Sequence, residues 1–403
     1  MRHNLAMRIL GIETSCDETA VCLIEAEGDF GPSFKWKTLG NALTSQAALH
    51  AEFGGVFPNL AKREHAKNLV PLLERALGTH APHSKSEITL PRTVLAQILE
   101  REPELLGNLI PFLKRHERPD IDAIAVTYGP GLEPALWVGI NFAKALSFAW
   151  NVPIVAVNHM EGHIVISMVG NESTKSQVSG IKEFEYPVLA LLISGGHNEL
   201  VLSKKFGTYE VVGQTRDDAV GEAFDKVARL LELGYPGGPE ISRLASEARR
   251  TNLASDVKLP RPMIGEDNFD FSFSGLKTAV RRVIEKWQGD ALPLRTKQEI
   301  AREFEDAVAD VLVTRTMRAV DEFGAYAIVV GGGVSANTYI RERLAAACQL
   351  QATSCKLLVP PPELATDNAI MIALAGYFHA LKREYADPTT LKATGNLRLG
   401  NAS

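Results

Sequence analysis

Two histidines spaced four residues apart, His159 and His163 in Asn158-His-Met-Glu-Gly-His163, carry the most direct chemical signal in this chain. On a helix, positions i and i+4 share a face one turn apart. Two imidazoles so placed can chelate one divalent cation. Glu161 stands third in the motif, not second, so it points elsewhere on the helix and the general-base arrangement of a zinc peptidase is not formed. Two core or capping histidines would show the same spacing, so a cation site needs a third donor. Asp367, after Pro360-Pro361-Pro362 and ahead of the last helical segment, is the candidate. Two histidines and one carboxylate leave coordination positions open, as an iron or catalytic zinc site requires.

Two glycine turns point to a phosphate-bearing ligand. Ser194-Gly195-Gly196-His197 ends one apolar run and turns into another, and Gly331-Gly-Gly-Val-Ser-Ala-Asn337 ends a second run and opens a helical pattern. Such turns expose backbone N–H groups, and a helix N-terminus adds favourable potential for an anion. Neither turn matches the P-loop or the dinucleotide fingerprint. In Gly221-Glu-Ala-Phe-Asp-Lys226, the residues Val220, Phe224, Val227 and Leu231 form an apolar stripe and Asp225 lies off it, free to meet ribose hydroxyls or plain solvent. Gly237-Gly238 would let a flat ring or sugar approach the backbone. In Phe269-Asp-Phe-Ser-Phe-Ser-Gly-Leu-Lys277 three aromatics alternate with polar residues, as in an extended segment with its rings on one face. Lys277, Arg281 and Arg282 follow, and either a core-and-cap role or an RNA-facing one fits.

The elements that must position these residues come in repeated order. Ile9 to Ile12, a polar turn, then Ala20 to Ile24 read as a β-hairpin, echoed by Pro187 to Ile193 and Glu199 to Leu202. Ile121 to Val126, Gly129-Pro130-Gly131 and a helical pattern through Leu146 are echoed by Ala327 to Val330, the glycine turn and a helix through Leu344. The reading is a duplicated α/β fold of two lobes with an active-site cleft between them. Residues 7–157 with 366–400 are expected to form the N-terminal lobe, the last helix returning to it, and 158–365 the C-terminal lobe. Residues 78–118 look inserted, with one or two short surface helices, and 170–183 and 251–268 read as loops.

Composition limits the alternatives. The chain has 403 residues, enough for two domains. With 45% hydrophobic and 23% charged residues it is neither disordered, collagen-like nor a coiled coil. Lys+Arg number 43 against 48 Asp+Glu, a net charge of −5, which argues against a strongly basic nucleic-acid binder. Cys16, Cys22, Cys348 and Cys355 fit no zinc ribbon and read as reduced thiols. The apolar stretch from Ile121 to Trp150 is interrupted by Gly129-Pro130-Gly131, Glu133 and Lys144, so no membrane span is expected. The N-terminus shows no apolar signal core, and a cytoplasmic protein is expected.

Together these segments, with Gly11-Ile-Glu-Thr-Ser-Cys-Asp-Glu-Thr19, Tyr235-Pro-Gly-Gly-Pro239 and Thr366-Asp-Asn368, resemble the TsaD family over roughly residues 8–385. These are tRNA N6-adenosine threonylcarbamoyltransferases, formerly described as O-sialoglycoprotein endopeptidases. The resemblance implies the actin-like ATPase superfamily fold. It implies transfer of the threonylcarbamoyl group from L-threonylcarbamoyladenylate to N6 of the adenosine beside the anticodon (position 37) in tRNAs reading ANN codons, forming t6A with release of AMP. It implies one divalent metal, Fe(2+) or Zn(2+), on His159, His163 and Asp367. It implies substrate contacts at Leu192, Ile193, Ser194, Gly195 and Gly196, with Asp225 on the ribose, Gly238 beside the nucleoside and Asn337 near the other end of that nucleotide. Glu13 and His197 are candidates for handling or orienting a proton. The implied partners are tRNA, a TsaB-like paralogous subunit, a TsaE-like ATPase and a TsaC-like synthase supplying the adenylate.

Departures accompany the resemblance. The segment around 80–117 is far longer than the usual linker. Ser242 stands where many relatives carry a substrate-touching aspartate. The basic C-terminal Arg-Pro-Arg segment is replaced by Asn396-Leu-Arg-Leu-Gly400. An actin-like small-molecule kinase is the main alternative, yet it gives no reason for His159, His163 and Asp367 together. A non-catalytic partner subunit would lack the histidines, and a metallopeptidase would need the glutamate elsewhere.

Overall fold

The computed structural model describes residues 6–84, 90–170, 180–287, 291–350 and 355–400. The chain forms two compact units, Met1–Lys182 with Asp367–Leu399, and Glu183–Thr366 with Gly400–Ser403. The first contains β1 (Met7–Glu13), β2 (Glu18–Glu27), β3 (Lys35–Ser45), α1 (Ala47–Ala51), α2 (Pro58–Leu77), α3 (Arg92–Ile98), α4 (Pro103–Arg115), β4 (Ala123–Gly129), α5 (Glu133–Trp150), β5 (Ile154–Asn158) and α6 (His159–Met168). The second contains β6 (Val188–Ile193), β7 (Asn198–Lys205), β8 (Thr208–Gln214), α7 (Val220–Leu230), α8 (Gly237–Arg250), α9 (Ser274–Glu285), α10 (Leu294–Phe323), β9 (Ala327–Gly331), α11 (Thr338–Leu350) and β10 (Lys356–Leu358). The chain then returns to the first unit as α12 (Ala369–Leu381).

The duplication expected from sequence is present in the topology. Among the described residues the first sheet runs β3-β2-β1-β4-β5 and the second β8-β7-β6-β9-β10. In each, a hairpin pairs antiparallel, and its first strand lies parallel to a strand that enters a helical turn. All six side chains of β6 are buried, as a central strand covered on both faces requires.

Side-chain alternation along β1 and β4 sorts the first sheet's two faces. Leu10 and Ile12 of β1, with Ile124 and Val126 of β4, join the core under α2, α4 and α5. The opposite face carries Gly11, Glu13, Ala125 and Thr127, and α12 packs there. That helix is apolar all round and almost wholly buried. Its approach is unusually close. A Cβ on Gly11 would lie 2.5 Å from the Ala369 carbonyl oxygen, and one on Gly376 would lie 2.4 Å from Ala125 Cβ.

Three expectations change. The lobe boundary expected at 157/158 falls at 182/183, because α6 packs against α12 and stays with the first unit. The inserted helices form as α3 and α4, yet they are not surface additions: Leu95, Leu99, Leu105, Leu109, Phe112 and Leu113 are buried in the first core. The last helix, which the sequence pattern from Ala369 extends to Tyr385, ends at Leu381; Arg383 takes a left-handed backbone and the chain turns to pair Ala386 with Ile154. Parts of two expected segments, 85–89 of the insertion and 171–179 of the loop at 170–183, lie outside the described residues. The 251–268 stretch is irregular as expected.

The Gly11 contact yields a test. Valine at Gly11 would drive its side chain into the α12 backbone two residues from Asp367. Gly11→Val should cost roughly 2–3 kcal/mol, the scale of overpacking a tight interface, read as a lower midpoint in denaturant or thermal melts.

Candidate functional site

Asn158 ends β5 and caps α6, its Oδ1 accepting from Met160 N at 2.9 Å and Glu161 N at 3.4 Å. His159 thus opens the helix and His163 follows one turn later. Asn368 caps α12 in the same way, accepting from Met371 N at 3.1 Å, so Asp367 sits just outside that helix. The packing of α12 on α6 and β1 brings these ends together. Asp367 Oδ1 lies 3.1 Å from His163 Nε2 and 3.3 Å from His159 Nε2. Three side chains 208 positions apart at the extremes (367 less 159) therefore converge, all within the first unit.

Glu13 sets the protonation of His159. Its Oε1 accepts from Ser15 N at 2.5 Å, and its Oε2 accepts from Thr127 Oγ1 at 2.6 Å and faces His159 Nδ1 at 3.2 Å. A carboxylate so engaged offers only acceptors, so His159 Nδ1 carries a proton toward it and Nε2 is directed at Asp367. This is an orienting role, fixing the tautomer as outer partners of metal-bound imidazoles do. Strand alternation put Glu13 and Thr127 on the face α12 covers. Thr127 carried a weak signal that sequence reasoning passed over: a hydroxyl inside an otherwise apolar buried strand.

The local field favours a cation. Burial alone would raise the Asp367 carboxyl, but the His159 and His163 imidazoles outweigh it and hold it well below the usual carboxylate range. Burial would lower His159, yet Asp367 and Glu13 push it well above the ordinary imidazole value, whereas for His163 burial prevails and its pKa falls. Burial, with Asp367 and Asp17 adding repulsion, raises Glu18 to about 9. Negative charge is therefore in surplus here. Donors about 2.0–2.2 Å from a shared ion, at angles near 95–105°, stand roughly 3.0–3.4 Å apart, which is the separation seen. That match covers both Oδ1–Nε2 separations, and all three donor atoms lie within 4.8 Å of one another, close enough to share a divalent cation. His163 Nδ1 is buried with no partner among the described residues, so that ring is oriented by its Nε2 contact with Asp367 and by helix packing.

Glu161 faces away, as its place in the motif predicted. Its Oε2 lies 2.8 Å from His379 Nε2 on α12, and His379 Nδ1 lies 2.5 Å from Glu384. Burial opposes the imidazolium, but these two carboxylates raise His379 to about 9. This pair ties α6 to α12.

The other candidates belong to the second unit. Leu192 and Ile193 have side chains fully buried in its core, so only their backbone could serve a ligand. Ser194 N donates to the His197 carbonyl at 2.9 Å, and Ser194 Oγ accepts from His197 N at 3.0 Å and Gly196 N at 3.3 Å. The N–H groups of Gly196 and His197, expected to face an anion, are used within the turn. What the turn offers instead is open backbone: a Cβ on Gly195 or Gly196 would meet nothing within 4 Å. Asp225 Oδ1 accepts from Gly237 N at 2.7 Å, joining α7 to the start of α8 beside Gly238, where a Cβ would also meet open space. Asn337 Oδ1 caps α11 at Ile340 N, and its Nδ2 donates to Ser242 Oγ and Glu305 Oε1. His197 is partly exposed here and not part of the histidine–aspartate cluster. The alternating aromatics fill the core: Phe271 and Phe273 are buried and stacked at 6.2 Å, Phe269 packs on Phe323, and a single bridge joins Phe271 to Thr215.

Two outcomes test the first unit's cluster. The purified chain should take up about one Zn(2+) or Fe(2+), with Asp367→Asn abolishing uptake and Glu13→Gln weakening it by about 10–100-fold. Uptake near neutral pH should release close to one proton, since His159 holds one without the ion. Titration calorimetry in buffers of different ionisation enthalpy reads both. The second outcome concerns His379. The folded metal-free chain keeps its proton up to about pH 9, whereas an unfolded histidine releases it near 6.5. The native state therefore binds the extra proton between those values, and the stabilisation is full below pH 6.5 and lost as pH rises to 9. His379→Gln should cost roughly 1–3 kcal/mol at pH 6 and little at pH 9.5, measured by denaturant titration.

Comparison with known proteins accords with this geometry. The TsaD family model, described as tRNA N6-adenosine threonylcarbamoyltransferase, matches residues 37–89 and 110–374. Its gap coincides with α3 and the first half of α4. A Persephonella marina protein named tRNA N6-adenosine threonylcarbamoyltransferase is 42% identical over 374 residues, 92% of this chain and 90% of its own length. One of the same name from Thermosipho africanus is 38% identical over 393 residues, 98% of this chain and 100% of its own. Full-length HypF, solved in a phosphate- and nucleotide-bound form, has a TM-score of 0.51 at 13% identity over 95% of this chain and 56% of its own, a likeness of fold alone. The two similar α/β units are those of the actin-like ATPase superfamily, and the chain belongs to the TsaD family of tRNA N6-adenosine threonylcarbamoyltransferases.

Proposed function

We propose that this chain transfers the threonylcarbamoyl group of L-threonylcarbamoyladenylate to N6 of adenosine 37 in tRNAs reading ANN codons, forming t6A. The observation that carries the reading is the meeting of His159, His163 and Asp367 at one point in a chain of this family. In the reaction the N6–carbonyl bond forms, the bond from the carbonyl carbon to the AMP phosphate oxygen breaks, and N6 gives up a proton. AMP is already a good leaving group, so no covalent enzyme intermediate is needed.

His159, His163 and Asp367 would hold one divalent ion, Fe(2+) or Zn(2+). Bound there, it would supply Lewis-acid stabilisation to charge developing on phosphate or carbamoyl oxygen. Glu13 keeps the His159 tautomer, with Thr127 and Ser15 holding the carboxylate in place. Asp225 and Gly238 would receive the ribose and nucleoside, and Asn337 another part of the same nucleotide. The open Gly195-Gly196 backbone would lie along the substrate. His197 remains a candidate for positioning a proton.

Charge bears on the partners. The net charge of −5 leaves little general attraction for tRNA, although Lys277, Arg281 and Arg282 are exposed along α9. The reading therefore includes a TsaB-like subunit and a TsaE-like ATPase as helpers for tRNA engagement, a TsaC-like synthase as the source of the adenylate, and a cytoplasmic setting. Among the described residues no helix is long and apolar enough to cross a membrane. A small-molecule kinase of the same fold would leave the three-donor cluster without purpose.

The test is reconstitution with threonylcarbamoyladenylate and tRNA, with and without the helper proteins, read by nucleoside mass spectrometry. His159→Ala and Asp367→Ala should each lower t6A formation at least about 100-fold, the scale of losing an electrostatic stabiliser, while far-ultraviolet dichroism stays native. Full activity in both variants, or ATP-dependent phosphorylation of a small hydroxylated substrate in place of t6A, would refute the reading.

A further inference from the structure

Glu305 is a carboxylate in the middle of the apolar face of α10, on the same helical stripe as Ala301, Val308 and Leu312. It is 1% exposed. A lone charge so buried is costly unless every oxygen is engaged, and here both are. Oε2 receives Arg249 Nη1 at 2.5 Å. Arg249 in turn pairs with Asp306 at 2.6 Å and lies 3.4 Å above the Tyr339 ring. Oε1 receives Ser242 Oγ at 2.7 Å and Asn337 Nδ2 at 2.7 Å. Asn337 Nδ2 also donates to Ser242 Oγ at 2.9 Å.

The consequence lies at Ser242. A hydroxyl has one proton to give and two lone pairs. Glu305 takes the proton and Asn337 fills one lone pair, so Ser242 Oγ has a single lone pair left and can act outward only as an acceptor. Hydrogen bonds in a chain polarise one another, so this acceptor is backed by a carboxylate charge the solvent does not reach. Ser242 itself is only partly buried. It stands one helical turn after Gly238 on α8, on the same face, and Asp225 meets the same helix end through Gly237 N. Asp225 of α7, held at Gly237, and Ser242, one turn beyond Gly238, are thus two acceptor groups at this part of α8, where the Gly238 backbone is open. A ribose, with neighbouring hydroxyls that both donate, matches that pair.

We propose that Glu305 is a positioning residue for nucleotide recognition, forcing Ser242 into the acceptor state so that it receives a ribose hydroxyl alongside Asp225. The inference rests on the second unit being the nucleotide-binding part of the proposed transferase. Glutamine at 305 would reverse the polarity, because its amide N–H₂ can donate to Ser242 Oγ and release the serine proton outward.

The experiment is equilibrium binding of AMP, 2′-deoxy-AMP and 3′-deoxy-AMP to the full chain by calorimetry. The wild-type chain should bind AMP about tenfold more tightly than at least one deoxy analogue, the scale of one strong hydrogen bond. Glu305→Gln should bring the three ligands within about twofold of one another by weakening AMP alone. Ser242→Asp in the Glu305→Gln background, which returns one carboxylate to the junction, should restore the discrimination. Should Glu305→Gln fail to fold, Ser242→Ala, which leaves Glu305 paired with Arg249 and Asn337, must show the same loss. Equal weakening of all three ligands would mark Glu305 as an interhelical lock only and overturn the inference, as would unchanged discrimination in a folded Ser242→Ala chain. Either result leaves the nucleotide reading standing, provided Asp225→Ala weakens AMP. No AMP binding by the wild-type chain, or indifference to Asp225→Ala, would overturn that reading and this inference with it.

Discussion

Two imidazole nitrogens and a carboxylate oxygen cannot all turn lone pairs into a buried space at 3.1–3.3 Å unless a proton or a cation lies between them. The cluster of His159, His163 and Asp367 meets that constraint with a proton when no ion is bound, which is why His159 is pushed upward while Asp367 is held down. Proton and divalent cation are alternative occupants of one electrostatic well. Glu13 biases the choice. By claiming the Nδ1 proton of His159 it leaves Nε2 as the only nitrogen whose occupancy can change. The buried surroundings sharpen the effect, since Glu13 is wholly buried and water does not screen its carboxylate.

That well exists only because a helix from the far end of the chain is pressed against the first strand. Asp367 is placed by the seating of α12, and α12 is seated by the absence of side chains at Gly11 and Gly376. Small residues at Ala369, Ala373 and Gly376 recur at helical spacing on the face toward β1 and β4, so the helix sinks closer than ordinary core packing allows. The His379–Glu161 pair then fixes α12 against α6 from the helix's other end. The position of Asp367 is thus set by backbone contact rather than by long flexible side chains.

The legible parts of this molecule were those written in local pattern. Period-two alternation and glycine turns disclosed both hairpins, and i, i+4 spacing placed His159 and His163 on one helix. The three candidate donors, which the structure brings together, followed from residue type, order and the family resemblance. What local pattern could not disclose was packing partnership. The 158–182 segment reads as the opening of a second lobe because it follows a strand, yet its helix belongs with α12, more than 200 positions later. The resemblance implies ligand contacts at Ser194 and Asn337, but much of their hydrogen-bonding capacity is committed inside the protein. Glu305 was missed although it left a trace: an acidic residue at a core position of an apolar helical stripe, which burial tolerates only with partners.

The insertion shows how a long addition can leave such a tightly specified site untouched. Residues of α3 and α4 bury Leu95, Leu105, Leu109 and Phe112 in the core shared with α2 and α5. Glu102 is buried among them, receiving Asn141 Nδ2 at 3.0 Å and pairing with Lys62 at 3.5 Å. All of this lies on the face of the first sheet marked by Leu10, Ile12 and Val126, whereas Gly11, Glu13 and Thr127 point to the opposite face. A one-residue register difference along β1 and β4 therefore separates the part of the unit that has grown from the part that holds the donors. The added helices thicken the core behind the sheet, and the sheet itself shields the cluster from the change. On the α12 face even a single Cβ at Gly11 would come within 2.5 Å of the Ala369 carbonyl oxygen, two residues from Asp367, so that face leaves no room for added atoms; the α2 and α5 face is lined by side chains that can repack.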